Sequence, residues 1–245
     1  SITNLQIQKF TFNYFSENTY LLYDETLECA IIDPGCCNKE EETTLKNFIT
    51  TNNLKPVLLL NTHCHIDHIL GNAFVADTFK LDLHIHKKDL EVLIAGTVVA
   101  DRYGIPYHPS PSPSVFLEEG ETIKFGNTEL AIVFTPGHSP GSICFINHKN
   151  KSVIGGDVLF QGSIGRTDLP GGDFETLANS IRTKLYTLPD DYLVFPGHGD
   201  ETPIGVEKIR REHCPGLFHI DEVTQPLGHS TSGSHERYKS KERLQ

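Results

Sequence analysis

The stretch Thr62-His63-Cys64-His65-Ile66-Asp67-His68 decides the reading of this chain. It places four potential metal ligands within six residues. It follows Val57-Leu58-Leu59-Leu60, a continuous apolar run of the kind found in strands buried on both faces. In a short loop leaving a strand, the alternate residues His63 and His65 can point one way, and Asp67 and His68 can turn towards a second point nearby. One histidine at a strand end is ordinarily a hydrogen-bonded core or surface residue. Three of them with an aspartate in one loop point to metal binding. Imidazole and carboxylate suit zinc, iron or manganese, and no thiolate is needed.

Three later strand ends repeat the pattern. Thr135-Pro136-Gly137-His138 follows Ile132-Val133-Phe134, Gly155-Gly156-Asp157 follows Val153-Ile154, and Phe195-Pro196-Gly197-His198 follows Tyr192 to Val194. Each sets a ligand-type side chain just past a strand, after a glycine that lets backbone and metal approach closely. Singly, His138, Asp157 and His198 could each be structural. Together they supply the ligands that the first cluster lacks.

The rest of the chain fits an α/β protein. Apolar runs and alternation predict strands around Leu5–Phe12, Tyr20–Tyr23, Ala30–Ile32, Val57–Leu60 and Leu83–His86, then Thr122–Phe125, Glu129–Phe134, Ser142–Ile146, Val153-Ile154 and Tyr192–Phe195. Helical spacing predicts helices over Glu40–Thr51, Ile69–Phe79, Leu90–Tyr103 and Phe174–Leu188. His108 to Ser114, with three prolines, reads as an extended loop. Strands and helices fall into two similar groups, which suggests two mixed sheets inside and helices outside. The catalytic domain is read as residues 1–208. Residues 209–245 remain an unassigned tail, polar and structureless from about Gly228.

Composition narrows the function classes. In 245 residues the hydrophobic share is 38% and the charged share 22%, enough for one large packed domain. A net charge of -11 argues against a nucleic-acid grip, which needs clustered cations. No run of 18 apolar residues suggests a membrane span, and the first residues do not read as a signal peptide. The six cysteines match no zinc ribbon or redox pair. Cys36 and Cys37 are adjacent and are read as free thiols, which suits a reducing, cytoplasmic location.

The ordered set His-x-His-x-Asp-His, Pro-Gly-His, Asp and final His resembles the metallo-β-lactamase superfamily, in particular its glyoxalase II-like branch. The similarity runs from about Ile2 to His198. It implies a four-layered αββα sandwich with the site at one edge. It also implies that His63, His65 and His138 hold a first divalent metal, that Asp67, His68 and His198 hold a second, and that Asp157 bridges them. Zinc is the first choice of metal, with iron and manganese also fitting. Cysteine in place of Asp157 would have suggested a penicillin-hydrolysing enzyme of the main zinc class; aspartate stands there instead, which argues against antibiotic hydrolysis.

The resemblance implies a metal-dependent hydrolase. A metal-bound hydroxide would attack a small thioester or ester such as S-lactoylglutathione, and Asp67 would orient that hydroxide. Arg166 is read either as a binder of a substrate carboxylate or as half of a surface salt bridge. The stretch Gly156-Asp157-Val158-Leu159-Phe160 is also similar to persulfide dioxygenases, which use a single iron. That alternative would take His63, His65 or His138, and Asp157 as ligands. A non-catalytic metal-binding protein is a third possibility, against which the complete ligand set argues. The sequence assigns no oligomeric state.

Overall fold

The structure is a computed structural model that describes residues 5–213. The expected tail from Gly228, Cys214 and the first four residues lie outside the described residues.

Two six-stranded sheets form the centre. In the first, β1 (Gln6–Phe12), β2 (Glu17–Tyr23) and β3 (Glu28–Ile32) are antiparallel neighbours. β4 (Lys55–Leu60), β5 (Leu83–Ile85) and β6 (Val115–Phe116) then continue parallel to β3. The second sheet runs in the order β14 (Thr202–Pro203), β13 (Leu193–Pro196), β10 (Ser152–Gly156), β9 (Ile143–Asn147), β8 (Thr128–Phe134) and β7 (Thr122–Phe125). Only the β10–β13 pair is parallel there. β11 (Leu159–Phe160) and β12 (Ser163–Ile164) form a separate small hairpin.

Strand alternation builds three cores, and these are the three interfaces of a four-layered sandwich. Between the sheets, Tyr20, Leu22, Ala30, Ile32 and Leu60 meet Leu130, Ile132, Ile143, Phe145 and Ile154. The intervening residues face outwards, since successive strand side chains alternate. On the first sheet Leu21, Ile31 and Leu59 pack on α1 (Lys39–Thr51), through Leu45 and Ile49, and on α3 (Asn72–Phe79), through Val75 and Ala76. On the second sheet Cys144, Ile146, Val153 and Val194 pack on α6 (Phe174–Ser180), through Leu177 and Ala178, and on Ile204 of α7 (Ile204–His213). The expected αββα sandwich is therefore present.

Local chemistry explains the element ends. Asn38 caps α1 by accepting from the Glu41 amide, and Glu40, Glu41 and Glu42 sit in the first turn, where the helix dipole favours anions. Three expected helices are interrupted. The first is reduced to α3, since the helical turn α2 (Ile66–Ile69) begins three residues before the expected start and ends ahead of Leu70-Gly71. The second breaks at Ala95 into α4 (Leu90–Ile94) and α5 (Gly96–Tyr103). The third continues from α6 as a π-turn over Ile181–Leu185. Four short strands, β6, β11, β12 and β14, carry no periodicity over two residues each and were not expected. Neither was α7, which runs past position 208.

The cysteines Cys29, Cys36, Cys37, Cys64 and Cys144 are all free thiols. Among the described residues no helix is long and apolar enough to cross a membrane.

Candidate metal centre

Parallel pairing gathers the site at one edge of the sandwich, because parallel strands all end on the same side. Ile32 of β3 pairs with Leu60 of β4, so Asp33 emerges beside the His63–His68 loop. Gly156 of β10 pairs with Pro196 of β13, so Asp157 emerges beside His198. Backbone hydrogen bonds then join the two sheets at this edge. Ile143 N–H donates to Thr62 O at 2.9 Å, and Asn18 N–H donates to Gly197 O at 2.7 Å.

All seven expected ligands come together, each at 7% exposure or less. His63, His65 and His138 offer donor atoms within 4.8 Å of one another, and so do Asp67, His68, Asp157 and His198. Asp157 stands between the groups. Its Oδ2 lies 3.7 Å from His63 Nε2, 3.4 Å from His138 Nε2 and 3.3 Å from His198 Nε2, and its Oδ1 lies 3.2 Å from His68 Nε2. Asp67 Oδ2 is 2.9 Å from His198 Nε2 and 3.5 Å from His68 Nε2.

The hydrogen bonds behind the imidazoles fix which nitrogen faces inwards. Asp33 accepts from Thr62 N–H at 2.7 Å, from the Thr62 hydroxyl at 2.5 Å and from His68 Nδ1–H at 2.9 Å. The Thr62 hydroxyl spends its proton on Asp33, so His63 Nδ1–H donates to Thr62 Oγ1 at 3.2 Å. His138 Nδ1–H donates to Arg166 O at 2.8 Å, and His198 Nδ1–H to Ser16 O at 3.3 Å. Each bond leaves an Nε2 lone pair directed at the shared centre, the tautomer a metal requires. His65 instead presents Nδ1, 3.0 Å from His138 Nε2. Two nitrogens bound at ~2.05 Å to one tetrahedral ion stand about 3.3 Å apart, close to that separation.

Polar atoms so buried are normally hydrogen-bonded. Here, among the described residues, His63 Nε2, His68 Nε2 and both Asp157 oxygens make no well-aligned hydrogen bond, although they approach one another at 3.2–3.7 Å. Converging donors left in this way fit divalent cations. The electrostatics agree. Burial pushes the His63 pKa well below the ordinary imidazole value, which keeps it neutral and able to coordinate. Burial has the same sense at His68, yet Asp157, Asp67 and Asp33 outweigh it and raise its pKa well above that value. Against the upward push of burial, His198 and His68 hold Asp157 well below the usual carboxylate range. The site thus draws in positive charge, and without metal protons supply it.

Gly197 makes room for the converging donors, and Gly137 for the close packing of α6. A Cβ on Gly197 would stand 2.2 Å from Asp157 Oδ1 and 2.7 Å from His68 Cε1. Gly137 has φ +134°, and a Cβ there would meet the Leu177 backbone at 2.3 Å.

Arg166 is 2% exposed. Asp168 accepts from its Nε and Nη2, both at 2.5 Å. The salt bridge weighed from the sequence is present, though its arginine is buried rather than at the surface.

Three buried acids escaped the sequence reading. Asp33 orients Thr62 and His68. Glu17 lies with Oε1 3.6 Å from His68 Nδ1, and burial raises its pKa well above the usual value. Asp89 joins two ligand loops. A strand-end signal existed for Asp33, which directly follows Ile31-Ile32. Nothing comparable marked the other two.

With this geometry in place, comparison with known proteins decides the family. The model of the metallo-β-lactamase superfamily matches residues 13–198. The chain belongs to the metallo-β-lactamase superfamily. It is 41% identical over 196 residues to hydroxyacylglutathione hydrolase GloC of Haemophilus influenzae, a match covering 79% of this chain and 91% of that protein. Two solved structures are each 34% identical to it. The B3 metallo-β-lactamase BLEG-1 matches with a TM-score of 0.77, over 86% of this chain and 99% of that one. TTHA1623, in a di-iron-bound form, matches with a TM-score of 0.74, over 82% and 96%. The superfamily and the His/Asp cluster together indicate divalent metals without choosing between zinc and iron.

Proposed function

We propose that the chain is a two-metal thioesterase acting on a small acylated thiol such as a hydroxyacylglutathione. The observation that carries this reading is the position of Asp157, whose two oxygens face both donor groups at 3.2–3.7 Å. His63, His65 and His138 would hold one cation, Asp67, His68 and His198 the other, with Asp157 shared. Zinc, iron and manganese all suit these donors. Two such cations would bring the pKa of a shared water towards about 7 and polarise the substrate carbonyl.

The remaining work falls to the chain. Asp67, beside His198, orients the attacking oxygen. Asp33 and the Arg166 carbonyl keep His68 and His138 in the coordinating tautomer. A thiol leaves readily as thiolate, its pKa being about 8.5. That leaving group asks for no strong general acid, which favours a thioester. A substrate carboxylate would reach the Arg166 guanidinium by exchanging with Asp168. The similarity to GloC supports the substrate class.

The similarity to BLEG-1 favours one second reading, β-lactam hydrolysis. The test is metal content per chain, followed by turnover of S-lactoylglutathione and of a chromogenic cephalosporin by the same preparation. About two metals with thioester turnover is the expected result. Cephalosporin turnover alone would favour the second reading. A single iron, with oxygen consumed on a persulfide, would replace both readings by the dioxygenase.

A further inference from the structure

The metal centre opens onto a cavity of about 1110 Å³, and the ligand His65 forms part of its wall. Much of the rest of the lining is apolar. Leu90 of α4, Ala95 at the break after it, Val98 and Val99 of α5, Pro140 and Leu169 all line it. Val98 is 55% exposed, a large apolar side chain left in water beside a catalytic-type centre. Lys87, Lys88 and Arg102 also line the cavity, against the single acid Glu91. None of the three cations forms an ion pair among the described residues, and Lys88 lies over the Phe134 ring at 5.1 Å. This local excess of positive charge stands out in a chain with 32 acidic and 21 basic residues.

A cavity of this size holds a ligand larger than a two- or three-carbon acyl group, and its carbon-lined wall gains free energy only by covering carbon. Unpaired cations at the same mouth attract an anion. We infer that the substrate is an anionic thioester with an extended apolar acyl arm. The arm lies on Leu90, Ala95, Val98 and Val99, and the charged part of the substrate meets Lys87, Lys88 and Arg102. This rests on the thioesterase reading and adds to it a preference for longer acyl groups.

The test uses the metal-loaded full chain and S-methyl, S-butyl, S-hexyl and S-octyl glutathione, thioethers that cannot be hydrolysed. Calorimetry is expected to show affinity rising by roughly two- to fourfold per added methylene while the arm remains within the wall. V98D, at an exposed position that folding does not need, should flatten that series. The double variant K88E/R102E should weaken every member about equally and remove much of the salt dependence. A flat series in the wild-type chain, or an unchanged gradient in V98D, overturns the inference. The matching acyl-glutathione thioesters are then assayed for turnover. A binding gradient with no turnover of any thioester keeps the cavity assignment and rejects the thioesterase. Turnover independent of chain length does the reverse.

Discussion

Asp89 Oδ2 accepts the backbone N–H of Cys64 at 2.5 Å, between the candidate ligands His63 and His65. The other oxygen of this carboxylate takes the Ser139 hydroxyl at 2.6 Å and the Gly141 N–H at 2.7 Å, just past the candidate ligand His138. One buried side chain therefore ties together the two loops that carry the converging histidines His63, His65 and His138. Asp89→Asn keeps the shape but exchanges one acceptor oxygen for a donor. It should leave a folded protein whose metal binding is weaker by about 10–100-fold, measured by competition with a chelator. Unchanged affinity would mean that the loops hold their geometry without this clamp.

Asp67→Asn tests the second metal. The carboxylate faces His198 Nε2 at 2.9 Å, and an amide is a poor substitute for a charged ligand. The variant should fold normally, as judged by circular dichroism, and lose about a hundredfold or more in kcat. Full turnover in the purified variant rejects the role given to Asp67.

Metal removal should destabilise the protein, because buried Asp157 and its imidazole partners lose what they converge on. A cation at ~1,000 times its Kd contributes about 4 kcal/mol, and so roughly 8–16 °C in Tm for a chain of this size. The loss is read by calorimetry before and after chelation, with recovery on adding metal back.

The pH dependence of that gap has a definite sign. In the metal-free chain the pKa values of His68 and His198 are raised, mainly by Asp157 acting against burial. Their stabilisation is fully present below the unfolded imidazole value of about 6.5 and is lost as pH rises through the higher folded values. Metals compete with those same protons. The Tm difference between loaded and stripped protein should therefore widen as pH rises. A gap that narrows from pH 6 to pH 9 contradicts this account.

Asp24 offers a control away from the metals. It accepts from Thr26 in its own turn, from Asn127 N–H at 2.8 Å in the turn between β7 and β8, and from the Thr128 hydroxyl at 2.7 Å at the start of β8. It thus fastens one sheet to the other. Burial pushes its pKa up, but these hydrogen bonds prevail and lower it. The stabilisation is present above the unfolded carboxylate value and is lost as pH falls through the lower folded one. Asp24→Asn should cost about 1–3 kcal/mol at pH 7, less below pH ~4, and leave kcat unchanged. Urea denaturation at the two pH values checks it.

The seven positions that converge at the candidate metal centre were legible because each is a local event. A strand ends, a small residue or a tight turn follows, and an imidazole or carboxylate comes next, as at Gly137-His138 and Gly197-His198. Residue type and spacing within five or six positions carry that information, and the two mixed sheets follow from the same alternation. Tertiary structure alone decided the rest. Parallel pairing of β3 with β4 and of β10 with β13 brought residues 33, 63, 157 and 198 to one edge, and strand order leaves no local trace in a sequence. Asp33, Asp89 and Glu17 have the residue type of any exposed acid. They act here because burial removes water and leaves only specific donors to satisfy them, and burial depends on the whole fold. The breaks at Gly71 and Ala95 have the same origin. Helical spacing ran on through both, but Gly71 donates its N–H to Pro34 O and a Cβ there would stand 2.4 Å from Cys36 Sγ, while a Cβ on Gly96, just past Ala95, would meet Ile69 and Tyr107.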